Sequence, residues 1–206
     1  RPRTTAEYRE ALTTIQNENE WMSRLVNELL TLARLDAGRT SMHLEPVPLN
    51  ELAVEVVERL KPLAEERHIH LQTSDLAHST AQADRSYLTH VLVNLIENGI
   101  NYAGGPDARV TLSTGQEVQA GKPWAWIKVS DNGPGISPEH LPHLFDRFYR
   151  VDEARTRGEE ADEGTSGSGL GLAIVQSIVE AQGGRVEVHS KPGDGATFTV
   201  WLPGVE

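Results

Sequence analysis

The segment His90-Val-Leu-Val-Asn-Leu-Ile-Glu-Asn-Gly-Ile-Asn-Tyr102 constrains this chain more than any other. Its Val, Leu and Ile residues make it apolar enough to be buried, yet Asn94 and Asn98 stand in its middle. Residues four apart share one face of a helix, so the two carboxamides point the same way, with Asn101 close by. Buried carboxamides are costly without partners. Either loop backbone satisfies them or a ligand does. A carboxamide oxygen is a hard, uncharged donor suited to Mg²⁺, which takes few protein ligands and completes its shell with phosphate oxygens and water. Glu97 is expected on another side of this helix, solvated or in a local ion pair.

Three more segments follow in fixed order. Asp131-Asn-Gly-Pro-Gly-Ile136 begins where an alternating strand ends. A carboxylate there can accept a hydrogen bond from the exocyclic amine of adenine. Gly133 and Gly135 permit unusual backbone angles and the close approach of a flat base, against which Ile136 could pack. Read alone, Asp-x-Gly-x-Gly is equally well a turn. Leu144-Phe-Asp-Arg-Phe-Tyr-Arg150 places Phe145 and Phe148 three apart, as anchors for one edge of a mobile segment. Arg147, Arg150, Arg155 and Arg157 are candidates to reach phosphate oxygens. Gly167-Ser-Gly-Leu-Gly-Leu172 precedes an apolar helix, where backbone N–H groups form an anion site. Gly167, Ser168, Gly169, Leu170, Gly171 and Leu172 are therefore candidate phosphate contacts, although many glycine loops simply join two elements. The loop lacks the Gly-Lys-Ser/Thr ending of a Walker A motif and the Gly-x-Gly-x-x-Gly of a dinucleotide fold.

The pattern around these segments mixes strands and helices. A long helix is expected from about Thr4 to Ala37, with Tyr8, Ile15, Met22 and Leu29 seven apart and Ala11, Leu25 and Leu32 in a companion seam. Gly38 ends it. Its exposed stripe calls for a partner helix rather than for its own domain. Pro46 and Pro48 limit the region around Leu44 to a short edge strand. Asn50 is a candidate N-cap for a helix reaching about Arg67 and kinked at Pro62. Then come a strand at 69–73, a loop, and a helix from about Asp84 to Tyr102. Strands are expected at 109–114 and 124–130, where Ala125, Ile127 and Val129 alternate with Trp124, Trp126, Lys128 and Ser130. A helix after Gly171 ends at Gly183-Gly184, and strands at 185–190 and 196–202 flank the turn Lys191-Pro-Gly-Asp-Gly195. Hairpin connections predict an α+β fold, a two-layer α/β sandwich with a largely antiparallel sheet.

The net charge of −11 argues against nucleic acid as a partner, because phosphate neutralisation needs clustered Lys and Arg. No apolar run approaches the roughly 20 residues of a membrane span. The absence of cysteine excludes disulfides and thiolate metal sites.

In this order and spacing the four segments resemble the N, G1, F and G2 boxes of sensor histidine kinases. These form one branch of a superfamily that also holds DNA gyrase, the large heat-shock chaperone ATPases and mismatch-repair ATPases. The resemblance implies a Bergerat-type ATP-binding domain over 44–206, with a lid at about 150–166. Residues 1–43, with Met22-Ser-Arg-Leu-Val-Asn-Glu-Leu-Leu-Thr-Leu-Ala-Arg-Leu-Asp-Ala-Gly38, resemble the second helix of the dimerisation and phosphotransfer hairpin. It further implies that Asn98 holds Mg²⁺ and Asp131 the adenine amine. Asn94 and the 167–172 loop would face the phosphates of ATP, while Tyr102 and Ile136 would line the base pocket. The implied partners are a second copy, through the helix bundle, and the receiver domain of a response regulator. The implied setting is the cytoplasmic side of a protein that can be membrane-anchored elsewhere, with no membrane contact by this part.

The chain departs from the family in four ways. Asn101 stands where many relatives carry Lys or Arg. Gly99 replaces Ala at a helical position, worth about 1 kcal/mol of helix preference. The lid is long and acidic, with Glu159, Glu160, Asp162 and Glu163. None of the eight histidines has the His-Glu/Asp-x-x-x-Pro setting of the phosphorylated residue. His140 and His143 are expected at the surface. The acceptor is then expected on a helix outside this chain, and the chain alone should bind nucleotide without phosphorylating itself. A gyrase- or chaperone-type ATPase clamp is the first alternative, although those enzymes use a carboxylate to activate water and the matching residue here is Asn94. A non-catalytic dimerisation module with a degenerate pocket is the second.

Overall fold

The computed structural model describes residues 4–38, 41–105, 107–151 and 168–205. Helix α1 (Thr5–Asp36) comes first and is followed by β1 (Glu45–Pro48), α2 (Leu49–Glu66), β2 (His70–Leu76) and β3 (Thr80–Ala83). Then come α3 (Arg85–Tyr102), β4 (Arg109–Gln119), β5 (Lys122–Asp131) and a 3-10 turn at Leu141–His143. Helix α4 (Gly171–Ala181), β6 (Arg185–Ser190) and β7 (Ala196–Pro203) complete the described elements. Five strands form one sheet in the order β2-β4-β5-β7-β6, and β1 pairs with β3 in a separate two-stranded sheet. Only the β2–β4 pair in the larger sheet is parallel. The expected mixed, largely antiparallel sandwich is the fold observed.

Alternation along the strands separates two faces. Val110, Leu112, Ala125, Ile127, Val129, Phe198 and Val200 are buried, and they meet the apolar stripes of α2, α3 and α4. In α2 that stripe is Leu49, Leu52, Ala53, Val56, Val57, Leu60 and Ala64, at helical spacing. On the other face Trp126 and Trp201 are cross-strand partners with ring centroids 6.4 Å apart. The Arg185 guanidinium lies 4.9 Å from the Trp124 ring and 4.8 Å from the Trp201 ring. These cation–π contacts cover the rings on this face.

Asp84 organises one end of the sandwich. Its Oδ1 accepts from the backbone N–H groups of Ser86 and Tyr87, so it is the N-cap of α3. Oδ2 accepts from His43 N–H at 3.0 Å, and the Asp84 N–H donates to Gln182 Oε1 at 2.7 Å. One buried residue thereby joins the α1–β1 connection, the start of α3 and the end of α4.

Several local expectations are corrected. Asn50 is not the cap of α2. Pro48 holds that position, the Leu49 N–H goes to the Ser79 carbonyl, and Asn50 lies inside the helix. The end of this helix agrees with the expectation: it falls at Glu66, with Pro62 inside the helix. The edge strand falls at 45–48 rather than around Leu44, and the expected loop before α3 contains β3. Thr-Ala-Gln-Ala has no strong apolar alternation, and it becomes a strand because Ala81 and Ala83 are small enough to be buried against β1. Strand β4 runs five residues beyond its expected end because Ala120 and Gly121 both take positive φ, at 50° and 77°, and close a two-residue hairpin.

Helix α1 divides into two parts. Near its C-terminus Leu32 is only 2% exposed and α1 packs on α4, so this end does fold against its own domain. Further back Leu12, Ile15, Met22, Val26 and Leu29 stay exposed. Gly38, with φ of 60°, ends the helix as expected.

Candidate functional site

Helix α3 is the floor of the site. Leu88, Val91, Leu92, Leu95 and Ile96 are buried beneath it, which turns Asn94 and Asn98 together toward the loops on one side. Asn94 Nδ2 is buried and donates to no group among the described residues. A Cβ built on Gly171 would lie 3.5 Å from Asn94 Oδ1, so the carboxamide faces the first turn of α4. Asn98 is half-buried on the same face, while Asn101 and Tyr102 are exposed near the helix end. Glu97 is expected to be solvated or in a local ion pair. It is half-buried, and burial raises its carboxyl above the usual range, with Arg24 and Arg59 opposing that shift and Glu28 adding to it.

The base-side loop is built on the end of β5. Asp131 Oδ1 accepts from Gly133 N–H at 2.9 Å and Ala196 N–H at 3.3 Å. Among the described residues nothing donates to Oδ2, which remains able to accept from a ligand. Burial raises the Asp131 carboxyl above its ordinary range, and the backbone N–H bonds partly restore it. A side chain at Gly133 is excluded, because its Cβ would fall 2.5 Å from the Tyr102 carbonyl oxygen. Asn132, absent from the sequence-based set, pins the loop from behind. Its Nδ2 donates to Asp107 O and its Oδ1 accepts from Arg109 N–H, both at 2.8 Å. Ile136 is partly buried against the core.

The second loop enters α4. Leu170 is fully buried, and its N–H donates to Ser168 Oγ at 3.1 Å. No side chain caps α4, so its first-turn N–H groups remain available beside Asn94. Gly171 begins the helix, and Leu172 is partly buried against the core. Gly169 has φ of 73°, and its carbonyl accepts from Phe148 N–H at 2.9 Å. Phe148 thus joins this loop by its backbone. Its ring is 60% exposed and its φ is 63°, so it is not the apolar anchor expected, whereas Phe145 packs on the core. Gly167, Arg155, Arg157 and nearly all of the expected lid lie outside the described residues.

Two contacts from α1 were not legible in the sequence. Ser168 Oγ donates to Glu28 Oε2 at 2.5 Å. Arg147 grips both Asp36 carboxylate oxygens at 2.9 and 2.7 Å, so this arginine is engaged by α1 rather than turned to the site. Arg150 is exposed. His143 is at the surface, but His140 is half-buried, with Nδ1 2.8 Å from the Tyr149 hydroxyl.

Both loops meet the same helix. The Asp131 loop meets the C-terminal end of α3 at Tyr102, and the glycine loop meets the same helix at Asn94. Eight residues separate those points, about 12 Å along the axis. A carboxylate acceptor at one end and N–H donors at the other suit the base and the phosphates of one extended nucleoside triphosphate.

The chain belongs to the histidine kinase-, DNA gyrase B-, and HSP90-like ATPase family, whose model matches residues 83–206. Within it, the relatives that the chain resembles are sensor proteins and sensor histidine kinases. It is 34% identical over 198 residues to the sensor protein SrrB of Staphylococcus aureus strain N315, covering 96% of this chain and 32% of that protein. It therefore spans about a third of the length of the curated relatives it matches. Full-length ShkA in complex with AMPPNP is similar over 99% of this chain and 40% of that one, with a TM-score of 0.79 and 29% identity. A mycobacterial sensor histidine kinase, MprB, is similar over 79% of this chain and 98% of that one, with a TM-score of 0.63 and 26% identity.

Proposed function

We propose that this chain holds Mg-ATP across α3 and presents the terminal phosphoryl group to a histidine imidazole on a bundle helix outside these 206 residues. The observation that carries the reading is Asp131. One oxygen is fixed by two backbone N–H groups and the other is left to accept from the adenine amine. The buried, unpartnered Asn94 Nδ2 beside the uncapped start of α4 supplies donors at the phosphate end.

Asn98 is the residue proposed to hold Mg²⁺. No cluster of three or more His, Asp or Glu side chains capable of holding a metal occurs among the described residues. The carboxamide fits a hard cation whose remaining ligands are phosphate oxygens and water. When bound, Mg²⁺ neutralises charge on the transferring group. The protein's own share is positioning: Asp131 and Ile136 fix the base, and Asn94, Ser168 and the α4 amides orient the phosphates. Asn101, Tyr102, Gly133, Gly135, Arg150, Gly167, Gly169, Leu170, Gly171 and Leu172 complete the proposed nucleotide set. No residue here is assigned as general base, since the imidazole is itself the nucleophile.

The exposed apolar residues of α1 support its assignment, with residues 1–43, to a dimerisation and phosphotransfer hairpin. A second copy and a receiver domain are the proposed partners, and 44–206 the catalytic domain, with a lid at about 150–166. No helix among the described residues is long and apolar enough to cross a membrane. Calorimetry with ATP and Mg²⁺ tests the reading. Binding that is lost in Asp131→Asn is expected, and no heat up to millimolar ATP would overturn it.

A further inference from the structure

The turn between β6 and β7 touches the base loop at several points. Ile136 N–H donates to Ser190 Oγ at 2.8 Å, and Ser190 Oγ donates in turn to the Gly195 carbonyl at 2.6 Å. Gly193 N–H donates to the Pro134 carbonyl at 2.7 Å, and Ala196 N–H reaches Asp131 Oδ1. The two backbones are in contact as well. A Cβ on Gly135 would lie 1.9 Å from the Lys191 carbonyl oxygen, and one on Gly195 would lie 2.1 Å from the Asp131 carbonyl oxygen. Both glycines also have positive φ, at 72° and 76°.

Asp131 and Ser190 are the two side chains in this set that bond to both segments, and Ser190 is the one that reaches Ile136. Its hydroxyl accepts one bond from the base loop and spends its single donor across its own hairpin. Ser190 also pairs with Ala196 across the β6–β7 ladder, so its position is set by a regular sheet rather than by the loop it holds. The strand is thus a fixed reference, and the hydroxyl transfers that reference to Ile136. From Ile136 back to Asp131, the loop is then held at both ends.

We infer that Ser190 is a positioning residue for base recognition, holding Ile136 and the Asp131–Ile136 loop where an adenine ring is received. It acts through backbone and touches no ligand. The inference rests on the nucleotide reading of the Asp131 loop. It extends that reading to β6 and the following turn, which carry none of the four sequence segments.

The test compares ATP and GTP binding to the 206-residue chain and its Ser190 variants by calorimetry, with urea unfolding alongside. In Ser190→Ala the ATP-over-GTP preference should fall about tenfold, as expected when a net hydrogen bond that orders the acceptor is lost. Ser190→Thr, which keeps the hydroxyl, should restore the preference. Ser190→Cys keeps the volume but bonds weakly, and it should lose the preference as Ala does, in a chain with no other cysteine. Equal loss of ATP and GTP binding together with a lower urea midpoint would reduce Ser190 to a structural role and overturn the inference. An unchanged preference in both Ser190→Ala and Ser190→Cys would overturn it too. A parent chain that binds neither nucleotide would instead overturn the underlying reading of the site.

Discussion

Ser168 of the glycine loop donates its hydroxyl hydrogen bond to Glu28, a residue 140 positions earlier on α1. The side chain proposed to face the phosphates is therefore engaged by a carboxylate of the preceding helix. Helix α1 docks beside the site through Leu32 and the Arg147–Asp36 ion pair as well. A negative group at the loop opposes the approach of a triphosphate, by about 1 kcal/mol for unit charges about 4 Å apart at the dielectric of water. Glu28→Gln is expected to lower the Kd for ATP about fivefold at low salt, and 0.5 M NaCl should erase most of the difference. Calorimetry at the two salt concentrations checks this.

Asp131→Asn should separate stability from binding. The carboxamide oxygen can still accept from Gly133 and Ala196, but its NH₂ would face the adenine amine donor to donor. ATP affinity should fall by at least about tenfold. Burial raises the Asp131 carboxyl in the folded chain, so the folded state prefers it protonated. The stability linked to this preference is complete below the ordinary carboxylate range and is lost as pH rises through the raised folded value. The ligand-free Asn variant should therefore unfold at a urea concentration equal to or higher than the parent at pH 7, with the gap narrowing on acidification.

His90 titrates in the opposite sense. Its imidazole is held below the ordinary 6.5 by burial, with Glu28 pulling it back up. A folded state that prefers neutral histidine binds fewer protons than the unfolded chain. Its linked stability is complete above about pH 6.5 and falls as pH drops below that value. His90→Gln should flatten the urea-midpoint profile between pH 7 and pH 5 relative to the parent.

Gly99 has a steric reason to be glycine. A Cβ there would lie 2.9 Å from Val110 Cγ2, inside the packed contact of α3 with β4. Alanine would gain about 1 kcal/mol of helix preference. Overpacking costs about 1–3 kcal/mol, and a short valine side chain has little room to yield. Gly99→Ala should therefore destabilise the chain, by about 1 kcal/mol in urea titration, and Val110→Ala in the same chain should relieve the clash.

Much of the architecture was legible because strong periodicity and strong punctuation coincide. Ala125, Ile127 and Val129 alternate cleanly, Asp84 stands one residue before the first residue of α3, and Gly183-Gly184 follow α4. Where those signals part, local reading failed. Thr80–Ala83 is a strand only because β1 lies beside it, and Asn50 lies inside α2, where Pro48 holds the N-cap position and the Ser79 carbonyl takes the Leu49 N–H. Phe148 reads as an anchor, yet its backbone makes the contact and its ring is left in solvent.

By itself the sequence determined the chemical groups of the site and their order: paired carboxamides on a helix, a carboxylate at a strand end, and a glycine loop before a second helix. These are local features, written within a turn or a short loop, and so they survive being read one segment at a time. Tertiary structure alone decided how they are held. Ser190 reaches Ile136 across 54 residues, Ala196 reaches Asp131 across 65, and Glu28 reaches Ser168 across 140. No periodicity encodes such pairs. They exist because the sheet order β5-β7-β6 brings one hairpin turn against the base loop, and because α1 packs on α4.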